Sequence, residues 1–228
     1  MNHTNRKIPD LSSELRSDIV ESPKVINEAS GIRIFGKVIK SIIYTMDVAI
    51  IANCNADAVF AVYPWTPNTK ILESVSLVSK VPVLAGIGGG LTKGIRSATI
   101  GFFAEENGAQ GVILNGPATN ETIQSVQKAV DVPIIYTVTN NEVDVFKKIE
   151  SGVSAFNVSG GKDTASLVRW LVKQLGNKYP NFPIIASGGK TNEQIKETIS
   201  AGAHAITFAA YGVTELSFKK KMSQYRKK

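Results

Sequence analysis

The sequence predicts an α/β protein built as one (β/α)8 barrel. Three observations carry this reading. From Ser41 onward, an apolar run, a glycine-rich or polar turn and a segment of helical period recur in that order eight times. The apolar runs are nearly continuous rather than alternating, as expected of strands buried on both faces of a parallel sheet. The first run ends in Tyr44-Thr45-Met46-Asp47 with no glycine. An open, doubly wound dinucleotide-binding sheet would place a G-x-G-x-x-G turn there.

Residues 1–40 read as an N-terminal leader packing on the barrel, and residues 41–228 as the barrel itself. In the leader, Leu11, Leu15 and Ile19 recur every four residues and predict a helix over Leu11–Val20 that ends before Pro23. Ile32–Phe35, Gly36-Lys37 and Val38–Tyr44 predict a short β-ribbon, or an extended lead-in, whose last part is the first barrel strand. The strands are expected at Ser41–Thr45, Ala58–Tyr63, Pro82–Gly86, Gly111–Asn115, Pro133–Thr137, Ala155–Ser159, Pro183–Ser187 and His204–Phe208. The helices between them are expected at Asp47–Cys54, Lys70–Ser79, Lys93–Asn107, Glu121–Val130, Glu142–Glu150, Thr164–Leu175 and Asn192–Ser200, with a last one near Val213–Tyr225. Leu72 with Val75, Ile123 with Val126 and Val130, and Leu167 with Leu171 and Leu175 form apolar stripes at helical spacing. Pro82, Pro133 and Pro183 open strands, where a missing N–H costs little. Asn120, Asn141 and Asp163 suit N-caps, and Thr191 three residues before Gln194 has capping-box spacing.

The chain is 43% hydrophobic and 20% charged, which excludes a disordered or fibrous class. Its single cysteine, Cys54, excludes an internal disulfide and a multi-cysteine metal site, and between Asn53 and Asn55 it reads as an inert, partly buried thiol. No run reaches membrane-spanning length, so no membrane partner is expected. The polar N-terminus lacks the apolar core of a signal peptide, and a reducing cytoplasm is the expected location. The net charge of +7 owes much to Lys219, Lys220, Lys221, Arg226, Lys227 and Lys228. These read as the solvated face of a last helix and its tail. No RNA-binding aromatic motif or zinc-finger spacing accompanies them, so nucleic acid is a disfavoured partner. A homo-oligomer is compatible with the sequence.

A barrel of this type carries its site at the C-terminal ends of its strands. Pro183-Ile184-Ile185-Ala186-Ser187-Gly188-Gly189 runs from buried strand into a glycine turn and then a helix start. Ser187, Gly188 and Gly189 are therefore a candidate phosphate cradle, with a plain strand-to-helix turn as the alternative. The third loop, Gly86-Ile87-Gly88-Gly89-Gly90-Leu91-Thr92-Lys93, offers a second cradle through Gly88 and Gly89, or is a mobile loop without a ligand. The sixth loop, Asn157-Val158-Ser159-Gly160-Gly161-Lys162-Asp163, is the first choice for chemistry. Asn157 and Ser159 alternate along a strand and share a side. Ser159, Gly160 and Gly161 would contact the ligand, and Lys162 supplies a cation, a base or an amine nucleophile. Asp47 and Asn115 complete the catalytic candidates, with helix capping as the plainer role for Asp47 and for Asp163.

The two histidines, His3 and His204, are poorly placed: His204 opens the eighth strand at the opposite end of the barrel. With one cysteine as well, a His/Cys metal site is not available, and no metal is expected. No strand carries a lysine near its C-terminal end, which counts against a Schiff-base aldolase. The inventory of amides, hydroxyls and glycines suits binding an anion and stabilising an oxyanion.

On Ile184-Ile185-Ala186-Ser187-Gly188-Gly189 and Ala201-Gly202-Ala203-His204-Ala205-Ile206, the C-terminal half resembles the ribulose-phosphate-binding barrels, a phosphate-binding group. On Gly86–Thr92 and Asn157–Asp163, the whole chain is similar to uncharacterised bacterial barrel proteins labelled hydrolases. The first resemblance implies a phosphate held at the seventh and eighth strand ends. The sequence departs from it after the eighth strand, where Phe208-Ala209-Ala210-Tyr211-Gly212 replaces the usual glycine and small polar pair. The expected function is an enzyme acting on a small phosphorylated or carboxylated metabolite as hydrolase, lyase or isomerase, with no cofactor. The alternatives are an FMN-dependent oxidoreductase with the flavin phosphate in the same site, and a non-enzymatic ligand-sensing or RNA-binding barrel.

Overall fold

The computed structural model describes Pro9, Leu11, Ser13 and residues 19–226. The helix expected over 11–20 lies mostly outside the described residues. A 3₁₀ turn at Lys24–Glu28 leads into β1 (Ile32–Ile34) and β2 (Lys37–Ile39). There follow β3 (Ser41–Tyr44), α1 (Val48–Ala52), β4 (Ala58–Ala61), α2 (Thr69–Val78), β5 (Val83–Gly88) and α3 (Ile95–Glu106). Next come β6 (Gly111–Leu114), α4 (Asn120–Gln127), β7 (Ile134–Val138), α5 (Val145–Glu150), β8 (Ala155–Val158) and α6 (Thr164–Leu175). β9 (Ile184–Ser187), α7 (Asn192–Ser200), β10 (Ala205–Ala209) and α8 (Val213–Tyr225) complete the chain. Strands β3 to β10 pair in sequential order, all parallel, and β10 closes on β3. The expected eightfold barrel is therefore present.

The barrel has two cores. Between sheet and helices lie Val59, Leu72, Val75, Ile123, Val126, Phe156, Val168, Leu171 and Ile206. Inside the barrel lie Ile42, Phe60, Leu84, Ile113, Ile135 and Ile185, each buried side chain contributing about 1.5–3 kcal/mol. The bottom is closed by the β1–β2 hairpin, whose Ile34 and Ile39 belong to this inner cluster. The hairpin turns on two residues, Phe35 at φ 42° and Gly36 at φ 85°, both left-handed as the tightest two-residue turn requires. The Asp57 carboxylate fastens the hairpin's exit, accepting from the Lys40 and Ser41 amides, each at 2.9 Å.

Several helix starts differ from expectation. Thr119, not Asn120, caps α4 by accepting from the Thr122 amide. Asp144, not Asn141, caps α5, because residues 140–142 first close a local turn in which Asn140 accepts from the Glu142 amide at 3.0 Å. Asp163 precedes α6 but makes no capping bond; it ends a 3₁₀ turn, Gly161–Asp163. Lys93 lies before α3 because Gly94, at φ 56°, is the residue that turns the chain into the helix. The Thr191–Gln194 capping box forms as spaced.

His204 sits at the N-terminal end of the barrel, where its Nδ1 accepts from the Ile184 amide at 3.1 Å. Burial holds its pKa below the ordinary 6.5. As pH falls through 6.5 the unfolded chain takes up a proton that the native state resists, so stability falls from there down to the native pKa. Thermal melts of wild type and His204→Gln between pH 7 and 5 check this. The wild type should lose more Tm on acidification, and equal losses would refute it.

Candidate functional site

The polar layer at the barrel mouth follows from strand alternation. Ile135, Ala155, Ile185 and Ala205 belong to the inner core. Two residues further on, the same faces carry Thr137, Asn157, Ser187 and Thr207. The registers agree: Thr137 pairs with Asn157, and Thr207 with Ser187. The same step on the other half of the mouth gives Tyr44, Val62, Gly86 and Asn115, two residues beyond Ile42, Phe60, Leu84 and Ile113. That half is mainly apolar, with the rings of Tyr44 and Phe60 6.2 Å apart. One side of the mouth thus offers hydrogen bonds and the other offers surface.

Asn157 is the centre of the polar half. Only 5% of it is exposed, and its Nδ2 donates to Thr137 Oγ1 at 3.3 Å. Its Oδ1 is buried and has no partner. An unmet buried amide of this kind costs about 1–3 kcal/mol. At the adjacent strand ends, Ser187 Oγ donates to Ser159 Oγ at 3.4 Å, so the two serines stand together as expected.

The glycine turns are used differently from a simple cradle. The Gly188 amide donates to Thr207 O at 2.9 Å and the Gly89 amide to Thr92 O at 2.8 Å. The Gly160 amide donates to Thr164 Oγ1 at 3.1 Å. Gly188 also answers a packing need, since a Cβ there would lie 2.6 Å from Ile206 Cγ2. These three amides are engaged internally. Those of Gly161 and Gly189 donate to no acceptor among the described residues. Gly88 carries Asn115, whose amide donates to Gly88 O at 2.8 Å. Asn115 then lines a small cavity of about 130 Å³ with Tyr63, Trp65 and Leu91.

Asp47 is half-buried and serves structure. It accepts from the Ala49 and Ile50 amides at 2.9 and 3.2 Å, and from the Thr214 hydroxyl of α8. The Thr214 bond holds its carboxyl below the usual carboxylate range. Lys162 is exposed at the rim of the sixth loop. The structure thus brings Asn157, Ser159 and Ser187 to one side of the mouth and Gly88, Gly89 and Asn115 to another. Lys148 was not singled out as a ligand group; it lies within α5 with no local signal.

The inward-facing groups of the mouth are hydroxyls and amides, without a carboxylate or an imidazole. They can hold an oxyanion and polarise the atom that carries it. Proton transfer would have to come from a rim group such as Lys162.

No family model matches the chain, and no curated protein matches it. Solved structures do. A 2,3-dimethylmalate lyase, a PEP mutase/isocitrate lyase superfamily member, is 12% identical, with 90% of this chain and 85% of that one covered at a TM-score of 0.61. Phosphonopyruvate hydrolase is 10% identical, with 82% of each chain covered at 0.62. The 4-hydroxy-tetrahydrodipicolinate synthase of Methylacidiphilum fumariolicum SolV is 14% identical, with 76% of this chain and 69% of that one covered at 0.59. At these identities the likeness establishes the (β/α)8 barrel. It supports neither the ribulose-phosphate-binding class nor the hydrolase label for this chain.

Phosphonopyruvate hydrolase has also been solved with oxalate and Mg²⁺. Among the described residues no three of His, Cys, Asp and Glu come together, so such an ion would have to rest on one or two carboxylates here. Among the described residues no helix is long and apolar enough to cross a membrane.

Proposed function

We propose that the protein is a barrel enzyme taking a small phosphorylated or carboxylated metabolite into the mouth formed by β7 to β10, as a hydrolase, lyase or isomerase. The observation that carries this is Asn157: a buried amide with an unpartnered oxygen at the floor of an otherwise hydrogen-bonding layer. Proteins retain such a cost where a ligand relieves it. In this reading the unpartnered Asn157 Oδ1 accepts from a hydroxyl or other protonated group of the substrate, while the hydroxyls of Thr137, Ser159, Ser187 and Thr207 orient the substrate and meet its developing negative charge. The amides of Gly161 and Gly189 and the Lys162 ammonium hold its anionic group at the rim, and Asn115 stands at the end of the neighbouring strand β6. Asp47 holds the first loop in place. The names of two neighbours, 2,3-dimethylmalate lyase and phosphonopyruvate hydrolase, point to small organic acids and support the substrate class.

Trp65 stands exposed beside the mouth, and Trp170 is the other tryptophan. In a Trp170→Phe background, titration with oxalate, malonate or phosphoenolpyruvate should change Trp65 fluorescence saturably. Ser187→Ala should weaken this by about tenfold, the equivalent of one charge-assisted hydrogen bond. Fluorescence indifferent to all three acids would count against the reading.

A further inference from the structure

A second cavity, of about 420 Å³, lies between the loop joining β6 to α4 and the loop joining β7 to α5. That is within the size range of small-ligand pockets. Thr137 lies in its wall and also accepts from Asn157, so the cavity adjoins the mouth and shares that residue with it. At its edge Lys148 is held in place: its Nζ donates to Ala118 O at 2.7 Å and stands 4.7 Å from the centre of the Tyr136 ring. The Tyr136 hydroxyl in turn donates to Gly116 O, bracing the same loop.

We infer that this cleft is an oxyanion-binding subsite, in which Lys148 pairs with a carboxylate or phosphate group of a small ligand.

Three features argue for it. First, Lys148 is a half-buried cation with no carboxylate within salt-bridge distance; the ion pairs among the described residues are Lys147–Asp144, Arg169–Glu197 and Lys196–Glu28. Glu121 and, less strongly, Asp144 act on Lys148 electrostatically without forming an ion pair with it, and Asp144 is occupied in capping α5 and pairing with Lys147 at 3.6 Å. Second, burial pushes the Lys148 amine below its usual pKa, a desolvation cost that a bound counter-charge would offset. Third, hydrogen-bonding groups surround it. Thr119, Thr139 and Asn140 line the cleft and can donate to an anion, and the buried, unpartnered Oδ1 of Asn120 can accept from a hydroxyl of the same ligand. Glu142 and Asp144 also line the cleft. Because the ammonium is already fixed, little side-chain entropy is lost on binding.

The test is amide chemical-shift mapping on the full chain, titrated separately with inorganic phosphate and with malonate. Saturable shifts at Ala118, Thr119, Thr139 and Asn140 are expected. Lys148→Gln should weaken them by about tenfold, equivalent to about 1.4 kcal/mol, and Lys148→Arg should largely preserve them. Shifts confined to Ser187 and Gly189, or cleft shifts unchanged in Lys148→Gln, would overturn the subsite while leaving the reading of the mouth intact. The absence of cleft shifts with both probes would overturn it too. The wild-type map decides even if a variant folds poorly.

Discussion

Replacing Asn157 with valine is expected to leave the fold as stable as before, or more stable by about 1 kcal/mol, while abolishing ligand binding at the mouth. Asn157 is 5% exposed and makes one long bond, from Nδ2 to Thr137 Oγ1 at 3.3 Å, while its Oδ1 makes none. Valine removes the unmet amide and suits a barrel strand. The freed Thr137 hydroxyl borders the open cleft, where water can reach it. Most buried polar residues behave in the opposite way, because their loss leaves partners stranded. Chemical denaturation gives the stability change, and the Trp65 titration gives the binding change. A loss of more than about 2 kcal/mol would show Asn157 to be a structural residue and remove the main support for the proposed site.

Gly89→Ala is expected to cost about 2–5 kcal/mol, combining left-handed backbone strain with overpacking. Gly89 has φ 111°, and a Cβ there would lie 2.7 Å from the Asn115 amide nitrogen and 2.8 Å from its carbonyl oxygen. Both are backbone atoms and cannot swing away, so the third and fourth loops must part. The bond from the Asn115 amide to Gly88 O would go with them. Gly90→Ala is the control: its Cβ would meet nothing within 4 Å, and its φ is not left-handed. Denaturation should separate the two variants by at least about 2 kcal/mol. Equal stabilities would mean the loop pair is freer than its geometry indicates.

These two residues show how far local pattern reaches. Asn157 and Ser187 could be read as site residues because each ends an apolar run in a βα unit, and position in the unit is a local property. Gly88 and Gly89 could be seen to be unusual, but not why: the close approach is to Asn115 from the next loop. The expected phosphate cradle shows the converse. Ser187-Gly188-Gly189 has the composition of an anion-binding turn, yet the Gly188 amide is taken by Thr207 O on the neighbouring strand. The helix starts went astray for a similar reason, since capping depends on which oxygen reaches an amide, and Thr119 and Asp144 were better placed than Asn120 and Asn141.

The sequence by itself determined the barrel, the order of its strands, and the end on which the proposed site lies. Each rests on the alternation of apolar runs, turns and helical stripes, which is written in neighbouring residues. Only the tertiary structure decided that Thr137, Asn157, Ser187 and Thr207 form one layer, that one amide oxygen in it lacks a partner, and that Asp47 ties α1 to α8. It alone brought Lys148 to Ala118, 30 residues away, beside a cleft. Register and side-chain partners depend on how separate segments close on one another, and no local pattern contains that information.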